Sequence, residues 1–196
     1  MLRFSYLVFA TLLMLTPALA HTGIGETTGL AHGFSHPVGG MDHVLAMLAV
    51  GLLAALMSGR ALWLVPASFV AMMAVGGALG MTGIGIPFVE IGIGLSIVVL
   101  GAAVALRANM RLAAAMTSVG LFAMFPGHAH GVEIPDTVSG FDYAIGFMLA
   151  AALLHVTGIA LGLAIGRMSD IGGRRVARLT GGGMALAGVA LLAAAI

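Results

Sequence analysis

The sequence predicts an all-α membrane protein with six transmembrane helices after a cleaved N-terminal signal peptide, both mature termini lying outside. Three observations lead there. Of 196 residues, 61% are hydrophobic and only 8% are charged, whereas a soluble domain carries about 25% charged residues. The apolar residues gather into six segments of about the length a bilayer requires, separated by short breaks. Threaded back and forth, those segments leave nearly all basic residues on one side and nearly all acidic residues on the other.

Residues 1–20 read as a signal peptide. Arg3 supplies the positive n-region, Leu7 to Leu15 the apolar h-region, and Pro17 with Ala18-Leu19-Ala20 the small-residue cleavage site. The apolar run is shorter than the ~20 residues of a spanning helix, which argues against an uncleaved anchor. The mature chain then begins at His21, and residues 21–196 form one six-helix domain.

The spans are expected at Met41 to Met57, Ala61 to Gly80, Pro87 to Leu106, Leu112 to Phe125, Asp142 to Gly166 and Val176 to Ile196. The breaks are Ser58-Gly59-Arg60, Met81 to Ile86, Arg107 to Arg111, Gly127 to Gly140 and Arg167 to Arg175. Pro126 should end or kink the fourth span, because it lacks an N–H and its ring clashes with the preceding turn. The abundance of glycine, 30 residues, suits close helix packing in lipid.

Charge tests the threading independently. With the N-terminus translocated, Arg60, Arg107, Arg111, Arg167, Arg174, Arg175 and Arg178 fall on the cytoplasmic side, as the positive-inside rule requires. Glu26, Asp42, Glu90, Glu133, Asp136 and Asp142 fall outside, and Asp170 alone lies inside. Six of the seven histidines follow the acids: His21, His32, His36, His43, His128 and His130. The exception is His155, thirteen residues beyond Asp142, hence about 20 Å down the fifth span.

Two absences narrow the chemistry. The chain has no cysteine, which excludes disulfides, thiolate metal sites and a cysteine nucleophile. It also has no lysine, so it holds neither the Walker A loop of an ATPase nor a Schiff-base lysine. Nothing in the charge pattern calls for a nucleic-acid partner; the expected surroundings are the lipid bilayer.

Chemistry concentrates in two outer clusters. In "HPVGGMDHVLAM", residues 36–47, His36 and His43 share a face of an intact helix but stand two turns, roughly 10 Å, apart. One metal ion cannot bridge that gap with bonds near 2 Å. Pro37, Gly39 and Gly40 lie between them and would allow an unwound stretch that folds His36 back toward His43. Met47, one turn below His43, is either a soft ligand or a packing residue. In "FPGHAHGVE", residues 125–133, His130 and Glu133 become neighbours if one helical turn persists. Imidazole and carboxylate without thiolate suit nickel, cobalt, zinc or oxidised copper. The plainer alternatives are interfacial polar groups and helix-dipole partners for Asp42, Asp136 and Asp142, a cap for Glu90, and a carbonyl-bonded core residue for His155, which otherwise is a deep ligand or proton relay.

These stretches resemble the signatures of the HupE/UreJ family of nickel and cobalt permeases, which serve hydrogenase and urease assembly. His36, five residues, then Asp42-His43 matches the HX5DH signature. Phe125, Gly127, Ala129, His130, Gly131 and Glu133 match the second, FHGXAHGXE; Pro126 stands where the family has a histidine, with His128 at the variable position as its candidate substitute. The resemblance spans essentially the whole chain. It implies a secondary transporter, not an enzyme, importing Ni²⁺ or Co²⁺ across the bacterial cytoplasmic membrane with no permanently bound cofactor. It also implies that His36, Asp42, His43, His130 and Glu133 are the metal residues, with Glu90 a further participant and His128, His155, His21 and His32 additional pathway candidates.

Two smaller readings come from the residues alone. "GMDHVLAM" at 40–47 echoes "GFDYAIGF" at 140–147, and an Ala-His-Gly precedes each, at 31–33 and 129–131. This is either the relic of a parallel repeat or chance likeness in a Gly/Ala-rich chain; as a relic it would put Tyr143 where His43 stands. The free amine and imidazole of His21, with His32 nearby on a flexible arm, could capture ions. Two rivals are a fixed-metal membrane enzyme, for which the chain has no HExxH, and a b-type haem protein.

Overall fold

Seven helices account for nearly all of residues 29–134 and 139–195, the part of the chain that the computed structural model describes. The signal peptide, His21, Glu26 and Asp136 lie outside the described residues. The helices are α1 (Gly29–Gly39), α2 (Met41–Met57), α3 (Ala61–Met81), α4 (Val89–Ala105), α5 (Leu112–Glu133), α6 (Gly140–Gly166) and α7 (Asp170–Ala195). The described residues contain no strand.

Four helices, α3, α5, α6 and α7, are long and apolar enough to cross a membrane. The pair α1 and α2 passes the same test jointly, bent by 82° at its break, while α4 is a shorter apolar helix of 17 residues. Large apolar side chains such as Trp63, Leu106, Leu121, Leu153, Leu179 and Leu186 point outward. A water-soluble monomer rarely leaves so much hydrocarbon uncovered, and the molecule is built as a multi-pass membrane protein.

α2 is the centre of the bundle. Every residue from Ala46 to Ala55 is buried, as expected of a helix apolar on all sides, and it touches α1, α3, α4, α6 and α7. Around it the most extensive pairings are α3 with α5, α4 with α7 and α2 with α6.

Three expectations are corrected. Residues 29–39 are helix α1, not part of a flexible arm. α1 docks on α6 so closely that a Cβ on Gly33 would overlap the Tyr143 carbonyl, and one on Gly146 the Leu30 carbonyl. Secondly, the fourth span does not stop at Phe125: α5 continues through the buried Pro126 to Glu133. A membrane helix tolerates the lost hydrogen bond where a neighbour supports it, and Gly127 brings the last turns of α5 onto the α3 backbone at Met73. Thirdly, α7 starts at Asp170 and not at Val176. The Ser169 hydroxyl accepts from the Gly172 N–H at 3.2 Å, and Asp170 in the first turn complements the helix dipole. The spans expected from Met41, Ala61 and Asp142 match α2, α3 and α6 to within two residues at each end.

Candidate metal-binding site

The site forms where the last turn of α1, the first turn of α2 and the last turn of α5 meet. The 82° bend between α1 and α2 carries His36 away from the face it would share with His43 and swings it toward α5. Gly40, in extended conformation at φ −96° and ψ 118°, makes the bend. A Cβ there would lie 2.7 Å from Asp42 Oδ1 and 2.9 Å from His43 Nδ1, so any larger residue would push the pair below it aside.

His36 Nε2 stands 3.4 Å from Glu133 Oε2, and His130 Nδ1 stands 3.7 Å from the same oxygen. His36, His130 and Glu133 each offer one ligand atom, and all three atoms lie within 4.8 Å of one another. Ligand atoms about 2.1 Å from one ion stand roughly 3–4 Å apart, so the separations of His36 and His130 from Glu133 Oε2 already suit a shared divalent cation.

His43 and Asp42 brace that trio. His43 Nδ1 lies 2.8 Å from Asp42 Oδ1, and an ionised carboxylate only accepts, so His43 donates there. Its Nε2 then carries a lone pair. His130 Nε2 stands 2.6 Å from it and must donate in turn. The remaining His130 nitrogen, Nδ1, is buried, has no hydrogen-bond partner among the described residues, and presents its lone pair on the Glu133 side. The chain Asp42–His43–His130 thus selects the tautomer that can bind metal, as outer-shell carboxylates do for ligating histidines. With its imidazoles neutral, the cluster carries the two negative charges of Asp42 and Glu133, matching a divalent cation.

Two aromatic residues of α6, not singled out as lining residues in the sequence, complete the walls. The Phe147 ring lies 4.3 Å from that of His130, forming an apolar floor. Tyr143, 2% exposed, has its ring 6.0 Å from His36 and 5.7 Å from His32. Their four-residue spacing on an apolar helix was the available signal.

The other candidates are placed apart from the trio. His32 reaches the rim, its ring 6.3 Å from that of His36. His128 faces the loop between α3 and α4, where its Nε2 meets the Ile84 carbonyl at 2.8 Å and the Ile86 N–H at 3.3 Å. Glu90 is exposed in the first turn of α4 and makes no ion pair among the described residues. Met47 is fully buried one turn beneath His43. His155 lies deep in the bundle, 1% exposed.

The echoed segments meet reciprocally. His130, from the second Ala-His-Gly, packs on His43 at 4.4 Å between ring centroids, while His32, from the first, packs on Tyr143 at 5.7 Å. The two helices that carry the echo, α2 and α6, are packed against each other.

A helical bundle with apolar outer faces and a histidine–carboxylate cluster at one end defines a polytopic membrane protein with a candidate transition-metal site. More particularly, the chain belongs to the HupE/UreJ family: the family described as HupE / UreJ protein matches residues 9–191. It is similar to Protein HupE of Rhizobium leguminosarum bv. viciae, 41% identical over 193 residues that cover 97% of this chain and 99% of that protein. No solved structure matches it.

Proposed function

We propose that this protein is a permease that imports Ni²⁺, with Co²⁺ as a second cargo, across the bacterial cytoplasmic membrane to supply hydrogenase or urease assembly. The observation that carries the reading is the His36–His130–Glu133 trio, set at the mouth of a bundle of apolar helices and free of thiolate. Nitrogen and oxygen donors of this kind favour nickel and cobalt over Cu(I), and a few weak ligands permit passage where a closed cage would trap the ion.

In this reading α2 to α7 are six crossings and α1 lies over their outer ends. α2 and α4, at 17 residues each, reach the lower limit of about 17 for a spanning helix. Both ends of the mature chain are outside, the signal peptide having been removed, and the arginines line the cytoplasmic side. The ion enters down the membrane potential, which favours each positive charge by about 2.3 kcal/mol per 100 mV. No ATPase is needed within the chain.

Radiolabelled nickel accumulation in cells lacking other nickel importers tests this. Wild-type protein should accumulate nickel well above an empty vector and be inhibited by excess cobalt. His130→Ala, at matched membrane abundance, should fall to background. Wild-type uptake equal to the empty vector, with the protein present in the membrane, would refute the proposal.

A further inference from the structure

Apart from the Tyr143 hydroxyl beside the outer site, the buried polar side chains among the described residues are His43, Ser96, His128, His130 and His155. Four have explained partners: His43 and His130 hold each other, the Ser96 hydroxyl donates to the Ile93 carbonyl, and His128 fastens the α3–α4 loop. His155 is different. It is 1% exposed, yet neither Nδ1 nor Nε2 has a hydrogen-bond partner among the described residues; its ring packs against Phe69, edge-on at 4.9 Å. An imidazole left unpaired in a core is costly, and such groups within a membrane protein mark ion pathways.

Its position is not arbitrary. Tyr143, Phe147, Ala151 and His155 succeed one another at four-residue spacing, so they share one face of α6, and all four are buried. The first two line the outer site. Phe147 touches His130, and eight residues further down, about 12 Å along the helix, that face reaches His155. Between the two levels lie Met47, one turn below His43, and Met73, one turn above Phe69; both belong to the same buried cluster as Tyr143, Phe147 and Ala151. The α2 backbone crosses at the same level, since a Cβ on Gly51 would overlap the His155 carbonyl.

We infer that His155 is an inner station for the transported divalent cation, a second imidazole stop below the outer trio, reached along the Tyr143–Phe147–Ala151 face of α6. This rests on the permease reading. A neutral imidazole offers one lone pair, and at His155 no donor among the described residues competes for it. With no carboxylate among the buried side chains described, the station binds weakly, which is what passage from site to site requires.

The absence of cysteine makes the test direct, because His155→Cys introduces the sole thiol. In membranes of cells expressing that variant, a small water-soluble methanethiosulfonate reagent should modify the thiol, and nickel should protect it. In parallel, His155→Gln should lower the maximal nickel uptake rate by about tenfold or more, while nickel affinity at the outer site changes by less than about twofold, the separation expected when a later step is impaired. An inert thiol, modification that nickel does not slow, or a His155→Gln variant transporting at the wild-type rate would each identify a sealed core histidine and overturn the inference. Should His155→Cys fail to reach the membrane, His155→Gln at matched abundance decides. Failure of the permease reading looks different: wild-type protein itself would then give no uptake.

Discussion

At the scale of single residues, the site turns on the 2.6 Å contact between the Nε2 atoms of His43 and His130. Only one of the two nitrogens can donate, and Asp42 decides which. Asp42→Asn removes that decision, because an amide can present either a donor or an acceptor to His43. Nickel affinity should drop by about 10- to 100-fold, the usual effect of losing an outer-shell partner, while abundance in the membrane is kept; isothermal titration of purified protein reads this, and unchanged affinity would argue against the tautomer chain. The same chemistry sets a pH dependence. A protonated imidazole has no lone pair, and burial holds His36 below the ordinary imidazole value near 6.5, so uptake should weaken only as pH falls below that value. Uptake already lost at pH 6.5, with the protein still folded, would contradict ligation by this imidazole. The five residues were legible as candidates from their types and spacing. Their division into a trio gathered at Glu133 and a bracing pair was not, because it depends on a contact across 87 residues of chain.

Among the elements, the break at Gly40 matters most for the site. Pro37, Gly39 and Gly40 signalled an interruption between His36 and His43, and the chain bends there. The fate of His36 was less legible. Folding back toward His43 was the local solution, whereas α1 turns far enough to meet Glu133 on α5. α1 itself gave little signal: it is short, glycine-rich and contains a proline, and it is held by the close fit of Gly33 and Gly146 against α6 and α1 respectively. Pro126 misled for a related reason, since its cost is offset by the packing of α5 on α3. Gly40→Ala tests the bend. Its Cβ would push on Asp42 and His43, so nickel uptake should fall by about tenfold or more, a change of over 1.4 kcal/mol at the site, with the protein still folded in the membrane. Wild-type uptake by Gly40→Ala would show that the site does not depend on this turn.

Across the whole molecule, apolar composition and the separation of arginine from carboxylate made the helical class readable, and α2, α3 and α6 emerged near their expected bounds. The centrality of α2 did not, because a helix apolar all round carries no periodic mark of its neighbours. Orientation is checked with single thiols in a chain that naturally has none. Ser139→Cys, before α6, should react with an impermeant reagent applied outside intact cells. Asn109→Cys, between α4 and α5, should react only after the membrane is opened; the reverse pattern would invert the topology. The most direct test of the central claim is nickel flux into liposomes containing only the purified protein, with an inside-negative potential imposed. The wild type should admit nickel in proportion to that potential, and Glu133→Gln should not. Flux through Glu133→Gln equal to the wild type, or none through wild-type protein shown to be folded, would contradict an ion path that begins at the His36–His130–Glu133 trio.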